Sequence, residues 1–168
     1  GLGVCEFGFR KNHSRTGQVI FMVEFIKKTN SLVCSLGNEV LEIEPWGPDG
    51  IRVRGTRLPE IKQDWISALL PVEKYPANIE ISETGASLRN GSIVANINTS
   101  GQLSFLNADT GIMLLKEQPI HTLSIPARHY KDLKGDLFHI EACFEAYEDE
   151  HIYGLGQHQH GRLDQKGC

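Results

Sequence analysis

From Val23 onward, short alternations of apolar and polar residues recur roughly every eight to twelve positions, with turn-forming residues between them. That spacing predicts an antiparallel sandwich or barrel of short strands. The clearest hairpin runs from Val40 to Thr56. Leu41 and Ile43 alternate with Glu42 and Glu44, Ile51 and Val53 alternate with Arg52 and Arg54, and Trp46-Gly47-Pro48-Asp49-Gly50 supplies the turn chemistry. Pairing Ile43 with Val53 sets Glu42 opposite Arg54 and Glu44 opposite Arg52, so that opposite charges meet across one face. A second hairpin joins Leu103–Leu106 to Ile112–Leu115 through Asn107-Ala108-Asp109-Thr110-Gly111, and the run from Ser92 to Asn98 before it makes a meander. The longest strand expected runs from Leu137 to Tyr147. Its residues Phe138, Ile140, Ala142, Phe144 and Ala146 would face a core, and His139, Glu141, Cys143 and Glu145 would face water. Helical periodicity is confined to Asp64–Leu70, where Trp65, Ile66, Leu69 and Leu70 allow a turn or two before Pro71. The fold class expected is therefore all-β, an antiparallel β-sandwich.

The first 21 residues differ from the rest. They are rich in Gly, Arg, Lys, Asn and Ser without sustained periodicity, so residues 1–21 are expected to be a disordered, loosely attached or foreign leader, and residues 22–168 the domain proper. No internal repeat, low-complexity tract or linker divides that stretch into two cores. The chain stops after a loop-like segment rich in Gly, Gln and His, and the domain is expected to be incomplete at its C-terminal end.

A chain of 168 residues, 40% hydrophobic and 23% charged, is long enough for one well-buried core. A net charge of −4, from 17 basic and 21 acidic residues, leaves no electrostatic footprint for nucleic acid or an anionic membrane, and neither partner is expected. No apolar run approaches the roughly 20 residues that span a bilayer, and the first residues lack a signal-peptide pattern, which favours the cytoplasm. Asn12, Asn90 and Asn98 head Asn-x-Ser/Thr triplets, a pattern that also recurs by chance. Cys5, Cys34, Cys143 and Cys168 form no Cys-x-x-Cys pair, so free thiols are expected.

Candidate chemistry is sparse. Glu148-Asp149-Glu150 is the densest acid cluster, but neighbours on an extended chain point to opposite faces, which suits a solvated turn better than a paired-carboxylate site. His158 and His160 share one face of an extended chain, with His139, Glu141 and Asp164 as conceivable co-ligands; spacing alone does not make a metal site, and no metal or other cofactor is expected. Trp46, Trp65, Tyr75 and Tyr147 could stack on a sugar ring, although packing is the commoner use of aromatic residues in such a chain. No nucleophile elbow, phosphate loop or catalytic cysteine context occurs, and no catalytic residue is assigned.

The stretch from Phe144 to Gln157, and above all Tyr153-Gly154-Leu155-Gly156, resembles the end of the amino-terminal domain of family 31 glycoside hydrolases. The continuation from Gln157 to Gly167 is similar to the α-xylosidase branch. Ile51-Arg52-Val53-Arg54 and the β-rich pattern from Met22 suit that family's galactose mutarotase-like supersandwich. The resemblance implies a retaining α-glycosidase acting on an α-xyloside or α-glucoside, whose two catalytic aspartates lie on a (β/α)8 barrel that these 168 residues do not include. It also implies that this domain is inactive alone, packs against the barrel, and sends a loop toward the sugar pocket. Gln157, His158, Gln159 and His160 would then lie at the pocket edge. Two other readings compete with this one: a free-standing carbohydrate-binding sandwich, and a mutarotase-like epimerase, which needs a general acid and base facing each other across an open sheet.

Overall fold

The computed structural model describes residues 23–62, 69–73, 75–119, 126–134, 137–154 and 161–167, all of them strand, turn or irregular chain. The expected leader therefore lies outside the described residues, as does most of the short helical stretch. Chain contacts divide the protein into two compact units, one ending at Glu117 and one beginning at Gln118.

The first unit is a β-sandwich. Four antiparallel strands, β1 (Glu24–Lys27), β2 (Leu32–Leu36), β3 (Glu39–Pro45) and β4 (Ile51–Thr56), form one sheet in sequence order. Five more form the second, again in sequence order: β5 (Asn78–Ser82), β6 (Gly85–Asn90), β7 (Ile93–Asn98), β8 (Leu103–Asn107) and β9 (Met113–Lys116). The period-two pattern puts Leu32, Cys34, Leu41 and Ile43 of the first sheet against Ile79, Ala86, Leu88, Ala95, Ile97 and Leu103 of the second, all buried in one apolar cluster. Leu32, Ile43 and Leu88 have no exposed surface at all, so truncating any of them to alanine would cost about 2–5 kcal/mol.

The β3–β4 register is the one the charge pattern predicts: Glu42 pairs with Arg54, Ile43 with Val53 and Glu44 with Arg52. Arg52 Nε donates to Glu44 Oε1 at 2.7 Å, Arg54 Nη2 donates to Glu42 Oε2 at 2.8 Å, and Arg54 Nε lies 3.1 Å from Glu44 Oε1. Arg52 also sits over the Trp46 ring, 4.1 Å from its centroid, which uses that indole for packing at the loop. The β8–β9 hairpin and its preceding strand form as expected, with Phe105 opposite Leu115 and an irregularity in the register between Phe105 and Leu106.

Polar side chains join the two sheets at both ends of the sandwich. Asn90 at the end of β6 is buried, and its amide nitrogen donates to the carbonyls of Gly47 at 2.8 Å and Gly50 at 2.7 Å in the β3–β4 loop. Beside it, Asp49 Oδ1 accepts from the backbone N–H of Ser92 at 2.7 Å and from its hydroxyl at 2.8 Å, which holds the Asp49 carboxyl below its ordinary range. Gly91 between them has φ +56°, and a Cβ there would fall 2.3 Å from Asp49 Oδ1, so the close approach of turn and loop requires glycine. In the β1–β2 loop, Asn30 donates to Tyr75 O at 2.8 Å and accepts from Ala77 N at 2.9 Å, tying that loop to the chain entering β5.

The second unit contains an antiparallel hairpin, β10 (Arg128–Asp132) with β11 (Phe138–Ala142), registered by Tyr130 opposite Ile140. Here the expectation of one strand from Leu137 to Tyr147 needs correcting. Regular pairing ends at Ala142 because its partner β10 begins at Arg128; Cys143 N then donates to Ala127 O, and Gln118 N donates to Cys143 O. No face of β11 is core: all five of its residues are exposed, Ile140 at 60%. Cys34 and Cys143 are free thiols.

Candidate functional site

Gln157, His158, Gln159 and His160 lie outside the described residues. The chain on either side of them is described, and it shows how the loop that carries them is closed. Tyr153 and Asp164 form an isolated antiparallel bridge, so the chain leaves and returns at one point. Asp164 organises that closure. One carboxylate oxygen, Oδ1, accepts from the backbone N–H groups of Ile152 and Lys166, each at 3.0 Å, and the other, Oδ2, lies 2.7 Å from His151 Nδ1.

These bonds explain the charge state of the group. Three donors converge on the carboxylate: the His151 ring first, then the Lys166 and Ile152 amides. Together they hold the Asp164 pKa down at about 2. An ionised Asp164 can only accept, so Nδ1 of His151 carries the proton toward it. The imidazole stacks on Tyr153, with ring centroids 6.0 Å apart.

Neighbouring contacts reinforce the loop base. Gln165 N donates to Ile152 O at 2.7 Å, and the buried Gln165 side chain donates to Arg162 O at 2.7 Å. The Lys166 ammonium donates to the carbonyls of Tyr147 and Glu148, with Glu150 Oε1 4.0 Å away. The Glu148-Asp149-Glu150 cluster is thus a turn wrapped around a lysine, with Glu148 and Asp149 exposed, as the sequence suggests.

Of the side chains considered as metal ligands, His158 and His160 lie outside the described residues, and His139, Glu141 and Asp164 are used otherwise. His139 Nε2 pairs with Glu141 Oε1 at 2.9 Å, Asp164 serves the loop base, and among the described residues no three such side chains gather as a metal site would require. Tyr75 donates its hydroxyl to Glu73 at 3.2 Å, which raises the phenol pKa; Tyr147 is exposed, and Trp65 lies outside the described residues. Sequence reasoning missed the His151–Asp164 pair, because thirteen positions separate its members and no spacing rule joins them.

A second concavity lies on the first unit. The outer face of the five-stranded sheet holds a half-open hollow of about 390 Å³, lined among others by Ser82, Ser87, Asn96, Asn98 and Ser104. Nothing in the sequence flagged it, since its side chains are spread over all five strands and form no local motif.

No protein-family model matches the chain. Among curated proteins it is 34% identical over 165 residues to an uncharacterized family 31 glucosidase of Pseudescherichia vulneris, covering 88% of this chain and 31% of that protein. It is 31% identical over 163 residues to alpha-xylosidase A of Aspergillus niger, covering 85% of this chain and 22% of that protein. Among solved structures it superposes on a GH31 alpha-xylosidase from a soil metagenome, solved in complex with xylose, with a TM-score of 0.76 and 37% identity over 86% of this chain and 24% of that one. The chain thus spans between about a fifth and a third of the length of the curated relatives it matches.

Proposed function

We propose that this chain, which belongs with the family 31 glycoside hydrolases, is the non-catalytic β-sandwich region of an α-glycosidase acting on an α-xyloside or α-glucoside. The observation that carries the reading is the pairing of high coverage here with low coverage there: 88% of this chain aligns at 34% identity with only 31% of a family 31 relative. The chemistry would reside in a (β/α)8 barrel, a fold that takes about 250 residues by itself.

In this reading the second unit faces the barrel. Leu137, Phe138, Ile140 and Phe144 are 40% to 63% exposed, an apolar strip that another part of the polypeptide would cover. The loop based on Tyr153 and Asp164 would carry Gln157, His158, Gln159 and His160 to the edge of the sugar pocket, with the His151–Asp164 pair holding its two ends together. The α-xylosidase identity of two matched proteins, one of them holding xylose, supports a carbohydrate as the substrate class.

Sequencing the reading frame beyond Cys168 tests the proposal. It predicts alternating strand and helix patterns with two aspartates at separate strand ends. An authentic stop codon directly after Cys168 would sink it.

A further inference from the structure

The pairing register of the five-stranded sheet aligns one polar residue from each strand. Glu80 of β5 stands opposite Ser87 of β6, Ser87 opposite Asn96 of β7, Asn96 opposite Ser104 of β8, and Ser104 opposite Lys116 of β9. Their sequence neighbours Ile79, Ala86, Leu88, Ala95, Ile97 and Leu103 all point into the core, so this row lies on the opposite, outer face. With strands about 4.8 Å apart, the row crosses roughly 19 Å of sheet. It floors the hollow of about 390 Å³, within the range of about 300–1,000 Å³ usual for small-molecule sites.

The rim and the floor differ in how their polar groups are used. At the rim, Ser82 pairs with Thr84, and Asn98 accepts from Ser100 and from Gln102 N while donating to the Gln102 side chain. On the floor, the side chains of Ser87, Asn96 and Ser104 are half-buried and make no hydrogen bond among the described residues. Half-buried polar groups without a protein partner face solvent and are free to bond something that enters. Gly85 keeps the floor low beside them: its φ is +149°, and a Cβ there would lie 2.2 Å from Ile97 O.

The lining selects the chemistry of the occupant. Two hydroxyls and an amide each offer donors and acceptors at close spacing, which matches the vicinal hydroxyls of a sugar, themselves both donor and acceptor. One carboxylate, Glu80, and one ammonium, Lys116, stand at opposite ends of the row, so the hollow traps neither a polyanion nor a cation. Of the apolar residues in the lining, Ala86 and Ile97 turn their side chains into the core, which leaves Met113 as the apolar side chain at the hollow. We propose that this face is a binding site for a neutral saccharide, resting on floor contacts from Ser87, Asn96 and Ser104.

Amide NMR of the 168-residue chain, titrated with xylose, with maltose and with triglycine, tests this without the barrel, so its failure leaves the reading of the chain as a glycosidase region standing. The expected result is saturable shifts at Ser87, Asn96 and Ser104 with at least one sugar and none with triglycine. Asn96→Ala should weaken that binding about tenfold, and Ser104→Ala provides the same test should Asn96→Ala fail to fold. Folded protein showing no saturable shift at these three amides with either sugar, equal response to triglycine, or sugar affinity unchanged in a folded variant would each overturn the proposal.

Discussion

His151 donates to the carboxylate of Asp164 at 2.7 Å across thirteen residues of sequence, and around that bond the ends of a loop are fastened. Asp164 reaches two backbone amides from the same side chain, so one residue controls the geometry at which the chain from 154 to 163 departs and returns. Replacing Asp164 with alanine should leave the sandwich folded while loosening the loop base. Trypsin cleavage after the exposed Arg162 should then accelerate, with the thermal transition of the first unit unchanged.

The same bonds set a pH window. Asp164 has a folded pKa of about 2, below the roughly 3.9 of an unfolded aspartate, so its stabilising contribution is complete above pH 4 and is lost as pH falls toward 2. Hydrogen-exchange protection of the Ile152 and Lys166 amides, after correction for intrinsic rates, should hold from pH 7 to pH 4 and drop below that. Protection that declines already between pH 6 and pH 5 would contradict a closure held by the ionised Asp164 carboxylate.

Asn90→Ala should destabilise the sandwich by about 1–3 kcal/mol, because the buried Gly47 carbonyl loses the Asn90 donor and the Gly50 carbonyl is left with the Trp46 N–H. Urea unfolding followed by tryptophan fluorescence measures it. Asn90→Asp should be no better, since a carboxylate cannot donate to either carbonyl.

Gly85→Ala should cost more than about 1 kcal/mol, as a methyl group meets Ile97 O at a backbone angle that side chains rarely adopt. Gly111→Ala, where a Cβ meets nothing, should cost less despite its φ of +71°. Equal losses for the two variants would mean that backbone angle alone, without the close approach, sets the penalty.

The sequence reveals the hairpins best where the turn chemistry and the charge pattern agree. Glu42, Glu44, Arg52 and Arg54 leave one register in which every charge meets its opposite, and the structure has that register. Alternation failed for β11 for a physical reason: it shows which face of a strand is apolar, not whether anything covers that face. β10, read from Arg-His-Tyr-Lys-Asp, has almost no apolar contrast, and it acquires strand form only by pairing with β11. Asn90 reads locally as the head of a glycosylation triplet, yet burial at 2% exposure and two bonds to the β3–β4 loop close it to modification in the folded chain. Those contacts, like the His151–Asp164 bond and the polar row of the five-stranded sheet, join residues whose proximity only the complete topology creates.

Hydrolysis of an aryl α-xyloside and an aryl α-glucoside, compared between the 168-residue chain and a polypeptide that carries its natural continuation, tests the central claim most directly. The supporting-domain reading predicts turnover by the longer polypeptide alone and none above background by this chain while it is folded. Turnover by the 168 residues themselves, abolished by substitution of a carboxylate within them, would contradict it.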